Sequence, residues 1–402
     1  LNNRRCDFRR VLLPLICAAA VIVSACSTAP DTEPYQPSLE LPRYDQPTFA
    51  EYRQVTRNWI ARHRTFITGN HELETELNSP FELKPRKKTE HRRGILLVHG
   101  LGDSPGYLRD VGKALAAQGW RVRGILLPGH GSRPADTLLP EYEDWTGVVA
   151  HQAELLADEV DELWLGGFST GGNLVTSYAI EHKNVAGLLL FSPGFYPNTK
   201  PLLALSPLAS HLWDWVGVGT EDDILRYESL TTNASKLYYR SVQEVQKLIA
   251  EQGFDRPALI TISADDSVLE PETTVEAFQA SFTNPASKLI WYGKDALKGA
   301  LYEPRTTSFN SYLPEQHISN FAHMSVMFAP DNPYNGEHGS HIMLDNGQSR
   351  STPVPAERKD FWFSAWGLKE NGKYHARLTW NPYFADMLQI IKSVTDDPST
   401  GR

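Results

Sequence analysis

Leu163-Trp164-Leu165-Gly166-Gly167-Phe168-Ser169-Thr170-Gly171 passes from an apolar, strand-like run into the helix-like Asn173-Leu174-Val175-Thr176-Ser177-Tyr178-Ala179. The stretch contains G-x-S-x-G, and its flanks matter more than the pattern. A serine between a buried strand and a helix projects from a tight turn, where glycines two before and two after leave room for the crowded backbone. Such a turn costs about 1–3 kcal/mol of strain, which a surrounding sheet must hold. Ser169 is therefore the candidate nucleophile. Upstream, residues 94–98 and 122–127 read as buried strands, with helices from about 105 to 118 and within 141–161. Downstream, strands are predicted at 187–192, 257–262 and 288–292. Helices are predicted from Thr170, over 235–250 and near 382–394. Nearly continuous apolar strands alternating with helices predict an α/β fold, with a mostly parallel central sheet and helices on both faces.

The rhythm breaks twice. Between about 195 and 253, Leu202, Leu203, Leu205, Leu208, Leu212, Trp213 and Trp215 precede the helical stretch. This segment reads as a cap inserted over the carboxyl edge of the sheet, its leucines serving lipid contact or cap core. From about 293 to 380 the text is irregular. Its aromatic block, Phe361-Trp362-Phe363-Ser364-Ala365-Trp366, is expected to pack in a core rather than line an acyl pocket. The domain as a whole is placed at 48–402.

A serine nucleophile needs N–H groups aimed at the charge that develops on its substrate. One belongs to Thr170, at the start of a helix. After the first strong strand stands His99-Gly100-Leu101-Gly102-Asp103, which resembles the His-Gly-X-Gly turn of esterases and lipases. That resemblance implies the Leu101 N–H as the second donor and makes His99 structural. Leu127-Pro128-Gly129-His130-Gly131-Ser132 is similar to the P-G-H-G-x-S turn of monoacylglycerol-lipase-like carboxylesterases. The chain thus resembles the α/β-hydrolase superfamily from about residue 94 to 325, with the cap poorly matched.

In that fold the catalytic order is serine, acid, histidine. The acid is expected after the strand at 258–262, in Ser263-Ala264-Asp265-Asp266-Ser267-Val268-Leu269. The family's spacing places Asp266 in that role, with Asp265 as the alternative and Ser263 where a glycine is usual. The base is sought among His317, His323, His338, His341 and His375. Asn320-Phe321-Ala322-His323-Met324-Ser325-Val326 resembles the family's H-x-x-hydrophobic signature and favours His323, with His317 second. One departure stands out: some fifty residues, rather than a few, separate His323 from the closing helix. His338-Gly339-Ser340-His341 lacks the further ligands of a metal site and reads as a surface loop.

The chain has 402 residues, 41% apolar and 22% charged, which excludes disorder, collagen and coiled coil and suffices for a large core. A formal charge of −9 argues against a nucleic-acid partner. The basic Arg4-Arg5-Cys6-Asp7-Phe8-Arg9-Arg10 leads into an apolar run over 11–25, interrupted by Pro14 and short for a spanning helix. Val23-Ser24-Ala25-Cys26 resembles a bacterial lipobox, so residues 1–25 are expected to be a lipoprotein signal peptide and Cys26 the lipidated residue. Its loss moves the net charge to −12. All three cysteines, Cys6, Cys17 and Cys26, lie in or at the end of this leader, so no disulfide framework is expected. Residues 26–47, with Pro30, Pro34, Pro37, Pro42 and Pro47, read as a tether holding the body off the bilayer. Phe49, Tyr52, Val55, Trp59 and Phe66 follow at roughly helical spacing, with Arg53, Arg57, Arg62 and Arg64 between them. This is expected to be a helix packed on the body with a solvated arginine face.

Together these readings predict a serine carboxylesterase of the bacterial cell envelope, lipid-anchored, in the outer membrane where the organism has one. It would act on a small-molecule or lipid ester, such as an acylglycerol or lysophospholipid, with no cofactor, metal or nucleic acid. Thioesterase, acyltransferase and aminopeptidase chemistry on the same fold, and an inactive tethered binding module, are the alternatives. Oligomeric state is not legible.

Overall fold

The computed structural model describes residues 30–87, 90–302, 304–344, 346–347 and 353–396; the leader and Cys26 lie outside them. The first half builds α1 (Phe49–His63), α2 (His71–Asn78), β1 (Phe81–Leu83), β2 (Arg93–Val98), α3 (Arg109–Ala117), β3 (Arg121–Ile125), α4 (Tyr142–Ala157), β4 (Glu162–Phe168), α5 (Thr170–Glu181) and β5 (Val185–Phe191). The cap then contributes the one-turn helices α6 (Lys200–Leu203) and α7 (Ser206–Ala209), the hairpin β6 (Trp215–Gly217) and β7 (Leu230–Thr231), and the long α8 (Thr232–Glu251). The remainder is β8 (Ala258–Ser263), α9 (Pro271–Ser281), β9 (Lys288–Tyr292), β10 (Thr306–Phe309), the pair β11 (Phe361–Ser364) and β12 (Tyr374–Arg377), and α10 (Phe384–Thr395).

One eight-stranded sheet runs β1-β3-β2-β4-β5-β8-β9-β10. Every pairing in it is parallel except that of β1 with β3. Side chains alternate across a strand, and β2 shows the result. Leu96 and Val98 enter one core with α4, α5, α8 and α9, while Ile95 and Leu97 enter a second with α3, α10 and the aromatic C-terminal stretch. Burial on both faces explains why these strands read as unbroken apolar runs. The edge strands β1 and β10 were not expected from the sequence, being only three and four residues long, too short to show a period.

The arginine-rich helix packs on the body as expected, but Arg64 at its C-cap is buried against Glu74 at 2.9 Å instead of joining a solvated face. Thr48 caps α1 through its side chain, and Phe49, Tyr52, Trp59 and Ile60 are buried. Its Arg53 and Arg57 turn to Glu76 on α2. The proline-rich segment before it is less free than a tether would be. Ser38 donates its backbone N–H and its hydroxyl to Asp136 at 2.7 and 2.8 Å, and Arg133 pairs with Glu33 at 3.0 Å. The Tyr44 and Gln46 carbonyls accept bonds from α4, from Gln152 at 3.1 Å and His151 at 2.8 Å. From Pro30 onward this segment is a strap laid on the domain. Proline supplies extended, low-entropy backbone, and side chains such as Ser38 supply the attachment.

The described part of the irregular stretch near 293–380 packs through its aromatics. Phe361, Phe363 and Trp380 are buried in the second core, and Trp362 stacks on His317.

Candidate active site

Ser169 lies between β4 and α5 with φ 50° and ψ −116°, the left-handed region that a non-glycine residue enters only under strain. The turn holds because two glycines permit it. A Cβ on Gly167 would collide with the backbone of Gly171 and Gly172, and one on Gly171 would enter the carbonyls of Val98 and His99. The backbone is further tied by Ser169 N–H donating to the Phe191 carbonyl at 3.1 Å and Gly194 N–H donating to the Ser169 carbonyl at 2.9 Å. Thr170 begins α5, where the first N–H groups lack intrahelical partners and face outward.

The loop after β2 is held by two buried imidazoles. His99 Nε2 accepts the Leu127 N–H at 3.0 Å, and His130 Nε2 accepts the Gly102 N–H at 3.1 Å. Accepting at Nε2 places the proton of each neutral ring on Nδ1, which faces the Gly100 carbonyl in His99 (2.8 Å) and the Pro128 carbonyl in His130 (3.3 Å). Burial holds both rings neutral, with His99 pushed well below its ordinary value and His130 down to about 4. The two sequence motifs thus form one cross-brace that fixes Leu101 and Gly102 beside the serine.

Asp266 follows β8. Its Oδ1 accepts the N–H groups of Val268 and Leu269 at 2.8 and 3.1 Å, leaving Oδ2 for His323 Nδ1 at 2.6 Å. The Asp266 side chain is fully buried and His323 15% exposed, so the pair is shielded on the acid side and open on the other. The His323 ring lies 4.9 Å from that of Phe168. The loop bearing it is clipped down by serines. Ser192 donates to the His323 carbonyl at 2.9 Å, Ser263 to the Phe321 carbonyl at 2.7 Å, and Ser325 to the Leu378 carbonyl at 2.8 Å while accepting the Ala322 N–H. Sequence reading missed these clips. Ser263 in place of a glycine was the one signal available, and its meaning depends on a partner 58 residues away.

Of the alternatives, Asp265 turns its carboxyl to Asn320 and is pushed up by burial. His317 stacks on Trp362. His341 stacks on Tyr334 with Asp223 3.6 Å away, and His375 is buried beside Glu370 at 3.2 Å. Among the described residues no three metal-ligating side chains converge.

Leu101, Ser169, Thr170 and His323 line one cavity of about 380 Å³. Its apolar wall is Leu101, Phe168, Leu230, Val268 and Met324. The cap adds Arg226 and Glu228, and the loop after β2 adds Asp103. Burial pushes Asp103 and Glu228 up to about 7 against the pull of Arg226, which lies 3.3 Å from Glu228. The aromatic block of residues 361–366 is absent from this lining.

Residues 89–294 match the family model Hydrolase_4, described as serine aminopeptidase, S33. A thermostable monoacylglycerol lipase from Bacillus sp. (strain H-257) is 27% identical over 195 residues, 46% of this chain and 75% of that protein. A metagenome-derived lipolytic enzyme of known structure is 24% identical, with 53% of this chain and 86% of that one covered and a TM-score of 0.47. For the monoacylglycerol lipase of Paleococcus ferrophilus the identity is 16%, the coverages 53% and 87%, and the TM-score 0.43. The family match spans just over half of the chain and takes in the sheet from β2 to β9 with the serine turn and the acid turn. The chain belongs to the Hydrolase_4 family of α/β hydrolases.

Proposed function

We propose that this protein is a serine hydrolase that cleaves carboxylic esters through an acyl-enzyme. The observation that carries the reading is the 2.6 Å Asp266–His323 pair meeting the strained Ser169 in one cavity. Ser169 Oγ attacks the ester carbonyl carbon while His323 Nε2 takes its proton. Asp266 holds the Nδ1 proton, fixing the tautomer and stabilising the imidazolium, without itself taking the proton. The Leu101 and Thr170 N–H groups receive the oxyanion, each worth about 3–4 kcal/mol in such sites. The proton on Nε2 passes to the leaving alcohol, and a water activated by the same nitrogen then frees the acid. Acylglycerols and lysophospholipids fit the apolar wall, and the monoacylglycerol lipase similarity supports that class. A second reading, peptide cleavage at a free N-terminus, draws on Asp103 and Glu228, whose carboxyls line the cavity where an amine would sit. We further propose that cleavage before Cys26 leaves a lipid-anchored envelope protein.

The test is intact-mass and peptide mapping of the purified protein after exposure to a fluorophosphonate, beside Ser169→Ala and His323→Ala. A single adduct on Ser169 that depends on His323 is expected. An absent adduct on folded protein removes the hydrolase reading and promotes a binding role. A panel of esters, thioesters and amino-acid anilides then separates the chemistries, and the same mass measurement reads the lipid on Cys26.

A further inference from the structure

The cap carries an apolar face that projects outward. Leu202, Leu208 and Leu212 are 69%, 70% and 71% exposed, on α6, on α7 and in the turn after them, and Leu205 between the helices is half exposed. The cap segment bearing this face adjoins the cavity lining at two points. Asn198, two residues before α6, donates its N–H to the carbonyl of Val268 at 3.0 Å, and Val268 lines the cavity. On the other flank the exposed Val216 adjoins Gly217, which pairs with the cavity-lining Leu230. The N-terminal strap reaches the same place. Tyr35 donates its hydroxyl to the Gly219 carbonyl at 3.0 Å and meets the Trp215 ring edge-on, with centroids 5.5 Å apart.

We propose that this face docks on a lipid bilayer, oriented by the acyl chains on Cys26 so that the cavity mouth opens toward the membrane. The proposal rests on the anchor reading given above. Cys26 precedes Pro30, where the described chain begins, by four residues, a reach of at most about 14 Å at full extension. From Pro30 the strap leads directly to its contact at Trp215, so an anchored chain end is delivered to the edge of the cap rather than to the far end of the sheet. The face suits a bilayer chemically. Between Lys200 and Trp213 only Lys200 bears a fixed charge, so its leucines enter the boundary between headgroups and acyl chains with few ions to desolvate. No helix among the described residues is long and apolar enough to cross a membrane, and this arrangement needs none. An ester embedded in the bilayer would reach Ser169 through the mouth bounded by Val268 and Leu230.

The experiment uses the full chain, processed in a bacterial host and reconstituted into phosphatidylcholine–phosphatidylglycerol vesicles. Leu208→Cys carries an environment-sensitive fluorophore, with the exposed Asp158→Cys, at the opposite end of the sheet, as control. A blue shift at position 208 alone is expected. Leu202→Ser/Leu208→Ser/Leu212→Ser is expected to lose at least tenfold in rate on a vesicle-embedded long-chain ester while keeping its rate on a water-soluble short-chain one. With lipid on Cys26 confirmed by intact mass, equal emission at both positions overturns the proposal. So does a stable dimer that shields position 208 without vesicles. If Cys26 carries no lipid, the anchor reading falls by itself. The face is then judged by adding vesicles to the unlipidated protein, where a shift at position 208 upholds docking and unchanged emission overturns it.

Discussion

Asp266 and His323 meet at 2.6 Å, yet they come from regions organised in opposite ways. Asp266 sits at the end of a central strand, and its carboxylate is locked by N–H groups two and three residues further on. A short turn carries its own geometry wherever the strand places it. His323 belongs to the C-terminal stretch outside the family match, where the backbone has little regular structure. Its loop is held by Ser192 and Ser263, which donate from the carboxyl ends of β5 and β8 to the His323 and Phe321 carbonyls. The lesson is that Asp266 is placed by local chain chemistry and His323 by tertiary hydrogen bonds. Along the insertion after His323 the clips hold the backbone of its loop, while Asp266 takes the ring.

The sharpest way to break this comparison is to remove the group the two regions share. Asp266→Asn is expected to lower kcat about 10⁴-fold, since the amide favours the wrong imidazole tautomer. Thermal stability should change far less, because Oδ1 can still accept from Val268 and Leu269. Steady-state kinetics beside a melting curve checks both.

The loop braced by His130 offers a pH test of the matched region. His130 sits at about 4 when folded, against an ordinary value of 6.5. With the folded pKa below the unfolded one, the unfolded chain takes the proton first. Stability present above pH 6.5 is then lost as pH falls toward 4, by about 3 kcal/mol for this one residue. His130→Gln should be less stable at pH 7, having lost a fitted acceptor for Gly102, but should show a shallower acid limb. Urea unfolding at pH 7, 5.5 and 4 measures it, and parallel limbs in the two proteins would count against a buried neutral His130.

The smallest effect separates the two regions most cleanly. Ser263→Gly and Ser192→Ala each remove one hydroxyl clip, worth about 1 kcal/mol of stability. They are expected to slow fluorophosphonate labelling of Ser169 several-fold by loosening His323, and the double variant should exceed the sum if both restrain one loop. Labelling at the parent rate in both would show that packing against Phe168, not the clips, holds the base.

Much of the fold was legible because buried parallel strands and their helices leave long apolar periods. The strands at 94–98, 258–262 and 288–292 and the turn at Ser169 are of this kind. The strap was not legible, since Pro30 to Pro47 has the composition of a spacer and its docking depends on Asp136, Trp215 and α4. Nor were the charged residues of the cavity, because Asp103 and Arg226 are separated by more than a hundred positions and share a cavity only in the folded chain.

By itself the sequence determined the α/β architecture, the serine turn and the acid turn, since each is written in a few neighbouring residues whose backbone needs are local. Only the tertiary structure decided that His323 rather than His317 faces Asp266, that His99 and His130 brace one loop, and that the strap touches the cap near its start. Those outcomes depend on contacts between distant segments, where distance and burial rather than spacing along the chain select the partner.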